Sequence, residues 1–146
     1  MWLFVPAYVI HLAEEWIAGF PGWVARVVGR PVPELAFLII NGVALVLAVA
    51  GIRAAVRAVR HGWIAVALAT IVLANSAAHV AGTALTRSYS PGLISAIVLY
   101  LPLGTLTMVR AVDHAPRQQI TRGISFGLVV HALVLVIAFT ATRLDF

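Results

Sequence analysis

Residues 63–85 read WIAVALATIVLANSAAHVAGTAL, without one Asp, Glu, Lys or Arg. A hydrocarbon core about 30 Å thick is crossed by about 20 consecutive apolar residues in helical form. A soluble helix of that length would carry a charged face, so this stretch decides the fold class. Similar apolar blocks lie on both sides of it, over residues 2–20, 33–53, 92–110 and 122–142. Pro33 suits a first helical turn. Between the first two blocks, Trp23, Val24, Val27 and Val28 stand beside Arg26 and Arg30. That mixture predicts a short segment over residues 23–30 lying at the membrane interface. The expected architecture is an all-α, polytopic transmembrane helix bundle of about five transmembrane helices, forming one domain over residues 1–146.

Composition supports that reading. The chain is 62% hydrophobic and 10% charged, whereas a soluble domain is about a quarter charged. Its ten basic residues are all arginine. They gather between the apolar blocks, as helix ends anchored at lipid headgroups do. They form no aromatic-interleaved basic surface, so no nucleic-acid partner is expected. Five spans would place Arg53, Arg57, Arg60, Arg110, Arg117 and Arg122 on one side and Arg26, Arg30, Arg87 and Arg143 on the other. The positive-inside rule then predicts a cytoplasmic N-terminus. The absence of cysteine excludes disulfides, thiolate metal sites and cysteine nucleophiles. The first block lacks a basic n-region and holds His11, Glu14 and Glu15, so it reads as mature chain rather than a signal peptide. Ala74, Ala78 and Gly82, and likewise Gly123 and Gly127, have the four-residue spacing of close helix contacts. Pro102 predicts a kink in the fourth helix.

Two of the five acidic residues stand side by side within the first block, in His11-Leu12-Ala13-Glu14-Glu15. At about 100° per residue, Glu14 and Glu15 flank His11 within a single arc. The third block offers Asn75 and His79 at i and i+4, the fifth offers His131, and the second offers Asn41. Counted at about 1.5 Å per residue, all fall in one central layer of the bilayer. Ionisable groups at that depth cost about 2.5–3.5 kcal/mol each on insertion scales. Adjacent glutamates there must be protonated, paired or neutralised by a metal. Imidazole and carboxylate suit iron, zinc or manganese. A bland reading stands beside each residue: a lone His131 is commonly a hydrogen-bonded structural group, and Asn75 is commonly interhelical glue. His61 and His114, beside Arg60 and Asp113, read as solvated, and Glu34 as a charge at a helix start.

These residues resemble the HXXEE family of small bacterial and archaeal membrane proteins, which has no settled biochemical function. The likeness is carried by His11-Leu12-Ala13-Glu14-Glu15, by His79 as the further histidine, and by Tyr89-Ser90-Pro91-Gly92 as the family's Tyr-x-Pro-Gly motif. Pro91-Gly92 predicts a tight turn at the mouth of the fourth helix, with the Tyr89 phenol at its rim. The resemblance implies an enzyme without naming its reaction.

The functional expectation is a membrane-embedded metal-dependent enzyme acting on a lipid or other hydrophobic small molecule, by hydrolysis or oxidation. His11, Glu14, Glu15, His79 and His131 are the candidate metal ligands. Glu15, Asn75 and Tyr89 are the candidate catalytic groups, with Glu15 as base and Asn75 orienting a ligand or substrate. Three other readings stay open: a metal-free acid–base enzyme, a proton- or cation-coupled carrier that would have to assemble as a homo-oligomer, and a purely structural role.

Overall fold

A computed structural model describes residues 1–143. It contains six helices: α1 (Phe4–Ile17), α2 (Phe20–Val28), α3 (Glu34–Arg57), α4 (Trp63–Thr86), α5 (Leu93–His114) and α6 (Arg117–Ala141). No strand occurs among the described residues. Four helices, α3 to α6, are long and apolar enough to cross a membrane, with 24, 24, 22 and 25 residues. The five expected spans therefore become four. The first block yields a helix of 14 residues, about 21 Å long at 1.5 Å per residue. It stops because Gly19 adopts a left-handed conformation (φ 73°) and starts α2 in a new direction.

Helix α4 is the centre of the bundle. Its buried residues include Val66, Ala67, Ala69, Thr70, Val72, Ser76 and His79. Helix α6 packs on it through Gly123 and Gly127. A Cβ on Gly123 would stand 2.6 Å from the Trp63 carbonyl oxygen, and one on Gly127 2.7 Å from that of Ala67. Both contacts advance by four residues in the same direction, so α4 and α6 run parallel, with α5 returning between them in sequence. Gly104 lets α5 approach Val72 and Leu73 of α4. Gly82, which the four-residue spacing also singles out, has a different use from the one expected. It receives the Trp23 indole of α2, while Ala78 is exposed, so that spacing does not mark a seam between two spans.

Helix α1 lies against the upper part of this bundle. Phe4 and Ala7 join Ile52, Ala69, Val72 and Tyr100 in the apolar core. The Tyr8 hydroxyl bonds Asn41 Oδ1 of α3 at 2.8 Å. Helix α2 is held by a second cluster of Trp23, Val24, Val32 and Phe37, and it starts three residues before the segment expected at the interface. The ends of α1 and α4 and the starts of α3 and α5 thus share one end of the molecule. Glu34 stands exposed at the start of α3, as its charge suits.

Helix α5 is not regular. A wide π-helical turn occupies Ala96–Tyr100, where the Leu101 N–H bonds the Ala96 carbonyl. Pro102 follows directly and supplies no N–H of its own. The disturbance expected at Pro102 takes the form of this widened turn.

Candidate metal centre

Helix α1 presents His11 and Glu15 on one face, four residues apart, and α4 presents His79 opposite them. All three are buried. Nε2 of His11 lies 3.5 Å from Glu15 Oε1, and Nε2 of His79 lies 3.4 Å from the same oxygen. One carboxylate oxygen and two imidazole nitrogens therefore converge on one point.

The opposite nitrogens are held by serines. Nδ1 of His11 is 2.8 Å from Ser95 Oγ, and Nδ1 of His79 is 3.1 Å from Ser90 Oγ. Ser95 donates its own hydrogen to the Gly92 carbonyl at 3.2 Å. It can then only accept from His11, so Nδ1 carries a proton, and in the neutral imidazole Nε2 is left with a lone pair. That Nε2 is buried without a hydrogen-bond partner. A bare lone pair facing a carboxylate oxygen is unfavourable in a dry interior. Two acceptors placed this way call for a cation, or a proton, between them. Histidine ligands of metals are pinned in this manner through their far nitrogen.

Gly92 closes over the cluster. Its φ is +100°, and a Cβ there would stand 2.7 Å from His79 Cε1, 2.8 Å from His11 Cε1 and 3.0 Å from Glu15 Cγ. The Pro91-Gly92 turn is thus required twice, for its left-handed backbone and for the missing side chain.

The π-helical turn also serves the site. Ser95 touches His11 at Nδ1, and the Tyr100 ring lies over the same imidazole with centroids 4.4 Å apart. In an α-helix, residues five apart point about 140° away from each other. The widened turn brings both side chains to one face. Such turns recur at functional sites.

Glu14 does something else. Its two oxygens accept the backbone N–H groups of Ile94 (2.9 Å) and Ser95 (2.7 Å), and the Tyr89 hydroxyl donates to it as well. These N–H groups belong to the first turn of α5, which no side chain of its own caps. Glu14 is therefore a helix cap delivered from α1 across 80 residues of sequence, and it neutralises orphan donors that the bilayer would otherwise penalise. Tyr89 stands exposed at the rim, where partial burial and the Glu14 carboxylate push its phenol up to about 12.

The sequence-derived candidates thus divide. His11, Glu15 and His79 come together. Glu14 lies beside them but is occupied by α5. Asn75 is on α4 one turn deeper, with a buried Oδ1 that lacks a partner. His131 of α6 is half-buried and outside the cluster. Of the two histidines expected to be solvated, His114, the last residue of α5, is exposed and bonds the Arg110 carbonyl. His61 is half-buried on the Ala54 carbonyl.

The groups expected in one layer lie within about one helical turn of one another in depth. Counting about 1.5 Å per residue, His11 and His79 lie about 9–10 Å from the ends of their helices. Asn75 and His131 lie about 15 Å from theirs. The cluster sits under the connection between α4 and α5, not at the middle of the bundle. Ser90, Ser95 and Tyr100 had no place in the sequence reading, and Gly92 entered it only as a turn. Gly92 belongs to the Tyr-x-Pro-Gly motif, whereas Ser90 fills its unspecified position and carries no signal of its own.

No curated protein and no solved structure matches the chain. A family model described as "Protein of unknown function with HXXEE motif" matches residues 2–107. That range holds every residue of the cluster and stops short of α6, leaving His131 outside it. With its motif divided between a cluster-facing Glu15 and a helix-capping Glu14, the chain belongs to the HXXEE family.

Proposed function

We propose that this protein is a membrane-embedded metal-dependent enzyme, with His11, His79 and Glu15 as the ligands of a divalent iron, zinc or manganese ion. The observation that carries the reading is the orphaned Nε2 of His11, buried and aimed with His79 Nε2 at one oxygen of Glu15. The residues present fit such an ion: nitrogen and carboxylate donors, far nitrogens held by serines, and a glycine where a side chain would intrude. The ion would polarise a bound oxygen or activate water. The protein's own part is to orient the imidazoles through Ser90 and Ser95 and to keep bulk water away by burial.

The substrate class is a lipid or another hydrophobic molecule. Exposed Ile17 and Ile94 stand next to Glu14 and Tyr89 at the edge of the site, so an apolar molecule could approach from the bilayer. Helix α1 acts as a partial fifth membrane segment. The end bearing Arg53, Arg57, Arg60, Arg110, Arg117 and Arg122 faces the cytoplasm of a prokaryotic cell. The metal centre then lies toward the outer leaflet. Asn75 and His131, one turn deeper, border the site rather than bind the ion.

One second reading has an observation behind it. A proton shared between Glu15 and the two imidazoles would also relieve the facing acceptors, giving a metal-free acid–base enzyme or a proton-coupled carrier. Plasma mass spectrometry of untagged protein in mild detergent separates the two. Bound iron, zinc or manganese, lost in His11→Ala and Glu15→Ala, is the expected result. Protein that stays metal-free after reconstitution with each ion would overturn the metal reading in favour of the proton.

A further inference from the structure

We infer that the site takes a single four-coordinate ion of the zinc class, with three protein ligands and one open position. The inference rests on the metal-centre reading above and narrows it in three respects: geometry, number of ions and chemistry.

The donor spacing speaks to geometry. A tetrahedron with bonds of about 2.0–2.1 Å has edges of about 3.3–3.4 Å between its ligand atoms. Six-coordinate geometry on bonds of that length shortens the edges between neighbouring ligands to about 2.9 Å. The two edges here are 3.4 and 3.5 Å. Both match the tetrahedral spacing, and the three ligand atoms all lie within 4.8 Å of one another.

The donor count speaks to the open position. Among the described residues only His11, Glu15 and His79 offer ligand atoms within reach of one another. Four polar groups around them are engaged elsewhere, Ser90 and Ser95 with the imidazoles, Tyr8 with Asn41, and Glu14 with the first turn of α5, while the unpartnered Asn75 Oδ1 lies one turn away on α4. Structural zinc sites close with four protein ligands, whereas catalytic sites use three and leave the fourth position to water or substrate.

Glu14 also speaks to the number of ions. Two-metal centres hold their ions about 3.5–4 Å apart between shared ligands. The carboxylate that could supply the extra ligation is the one spent on Ile94 and Ser95 N–H groups. Of the two adjacent glutamates, Glu15 would hold the one ion, and Glu14 holds a helix end. A single redox-inactive ion confines the chemistry to Lewis-acid catalysis at a substrate oxygen or a bound water, not activation of dioxygen.

Cobalt substitution tests this directly. Metal-depleted wild-type protein in detergent is titrated with Co2+ while visible absorption is recorded, and bound cobalt is counted by plasma mass spectrometry. One equivalent with the intense visible bands of four-coordinate cobalt is expected. The bands should shift when azide occupies the open position, persist in Glu14→Gln, and vanish in His79→Gln. Two equivalents, the weak bands of six-coordinate cobalt, or bands indifferent to azide would overturn this inference and leave a metal enzyme of another kind. Absence of any bound ion would overturn the metal-centre reading itself. The wild-type protein alone decides between these outcomes, so a variant that fails to fold does not remove the test.

Discussion

Replacing Gly92 by alanine adds one methyl group to the molecule at the point where the two family motifs meet. The new Cβ would begin 2.7 Å from His79 Cε1, 2.8 Å from His11 Cε1 and 3.0 Å from Glu15 Cγ. Carbon atoms rest at about 3.5–4.0 Å, so these groups must retreat by about 0.5–0.8 Å. The imidazoles cannot retreat freely, because Ser95 and Ser90 hold their Nδ1 atoms. Alanine must also adopt a left-handed conformation, at about 1–2 kcal/mol, and overpacking adds about 1–3 kcal/mol. A loss of about 2–5 kcal/mol is expected from the two terms together. Functional geometry tolerates only about 0.5 Å of displacement, so metal affinity should fall by about 10- to 100-fold or more, on the scale of a lost supporting contact. Competition against a chromophoric chelator measures the affinity, and thermal unfolding in detergent measures the stability. Gly22→Ala is the control, since Gly22 has nothing within 4 Å of its missing Cβ and no positive φ. If Gly92→Ala binds metal and melts like the Gly22→Ala control, the reasoning from this close contact is refuted.

The two glutamates of the motif should separate experimentally. Glu14→Gln weakens charge-assisted bonds to α5, costing about 1–3 kcal/mol while sparing metal content, whereas Glu15→Gln abolishes metal binding; equal metal loss in both would contradict the division. Gly127→Leu sets a side chain against the Ala67 backbone carbonyl, 2.7 Å from the Cβ, which cannot yield without parting α4 from α6. Unfolding in detergent should register about 3 kcal/mol or more, and an unchanged melting temperature would argue against the parallel α4–α6 contact. The Tyr89 phenol is raised to about 12 from an ordinary value near 10, so its neutral form is favoured in the folded protein. The stability it contributes is complete below about pH 10 and is lost as pH rises through about 12. Tyrosinate absorbance read during alkaline titration should show this late ionisation in wild type but not in Tyr89→Phe; an early one would mean the Glu14 contact is not formed.

Much of this was legible in the chain. Long uncharged runs such as residues 63–85 can satisfy their backbone only as helices in lipid, so class and span positions follow from length and hydropathy. The histidines and glutamates stood out because their burial is costly. The number of spans was less legible. The first block has the composition of a span, but Gly19 ends its helix early, and a glycine in an apolar run does not announce a left-handed turn. Depth was legible only to about one helical turn. Counting from block ends puts seven groups in one layer, and the return of the chain over the ends of α1 and α4, which sets His11 and His79 nearer that end than Asn75 and His131, is not visible in the sequence.

The sequence by itself determined a helical bundle that buries His11, Glu15 and His79, because hydropathy and the cost of charge act on each residue separately; Glu14, expected beside them, is only half-buried. Only the tertiary structure decided what each of them does. Adjacent residues on a helix are about 100° apart, so Glu14 and Glu15 must look in different directions. What lies in each direction is set by elements some 65 to 80 residues away: His79 before Glu15, and the N–H groups of Ile94 and Ser95 before Glu14. The same packing turns Pro91-Gly92 from a turn signal into the cover of the site. Roles of this kind belong to pairs of distant residues, and no property of either residue alone contains them.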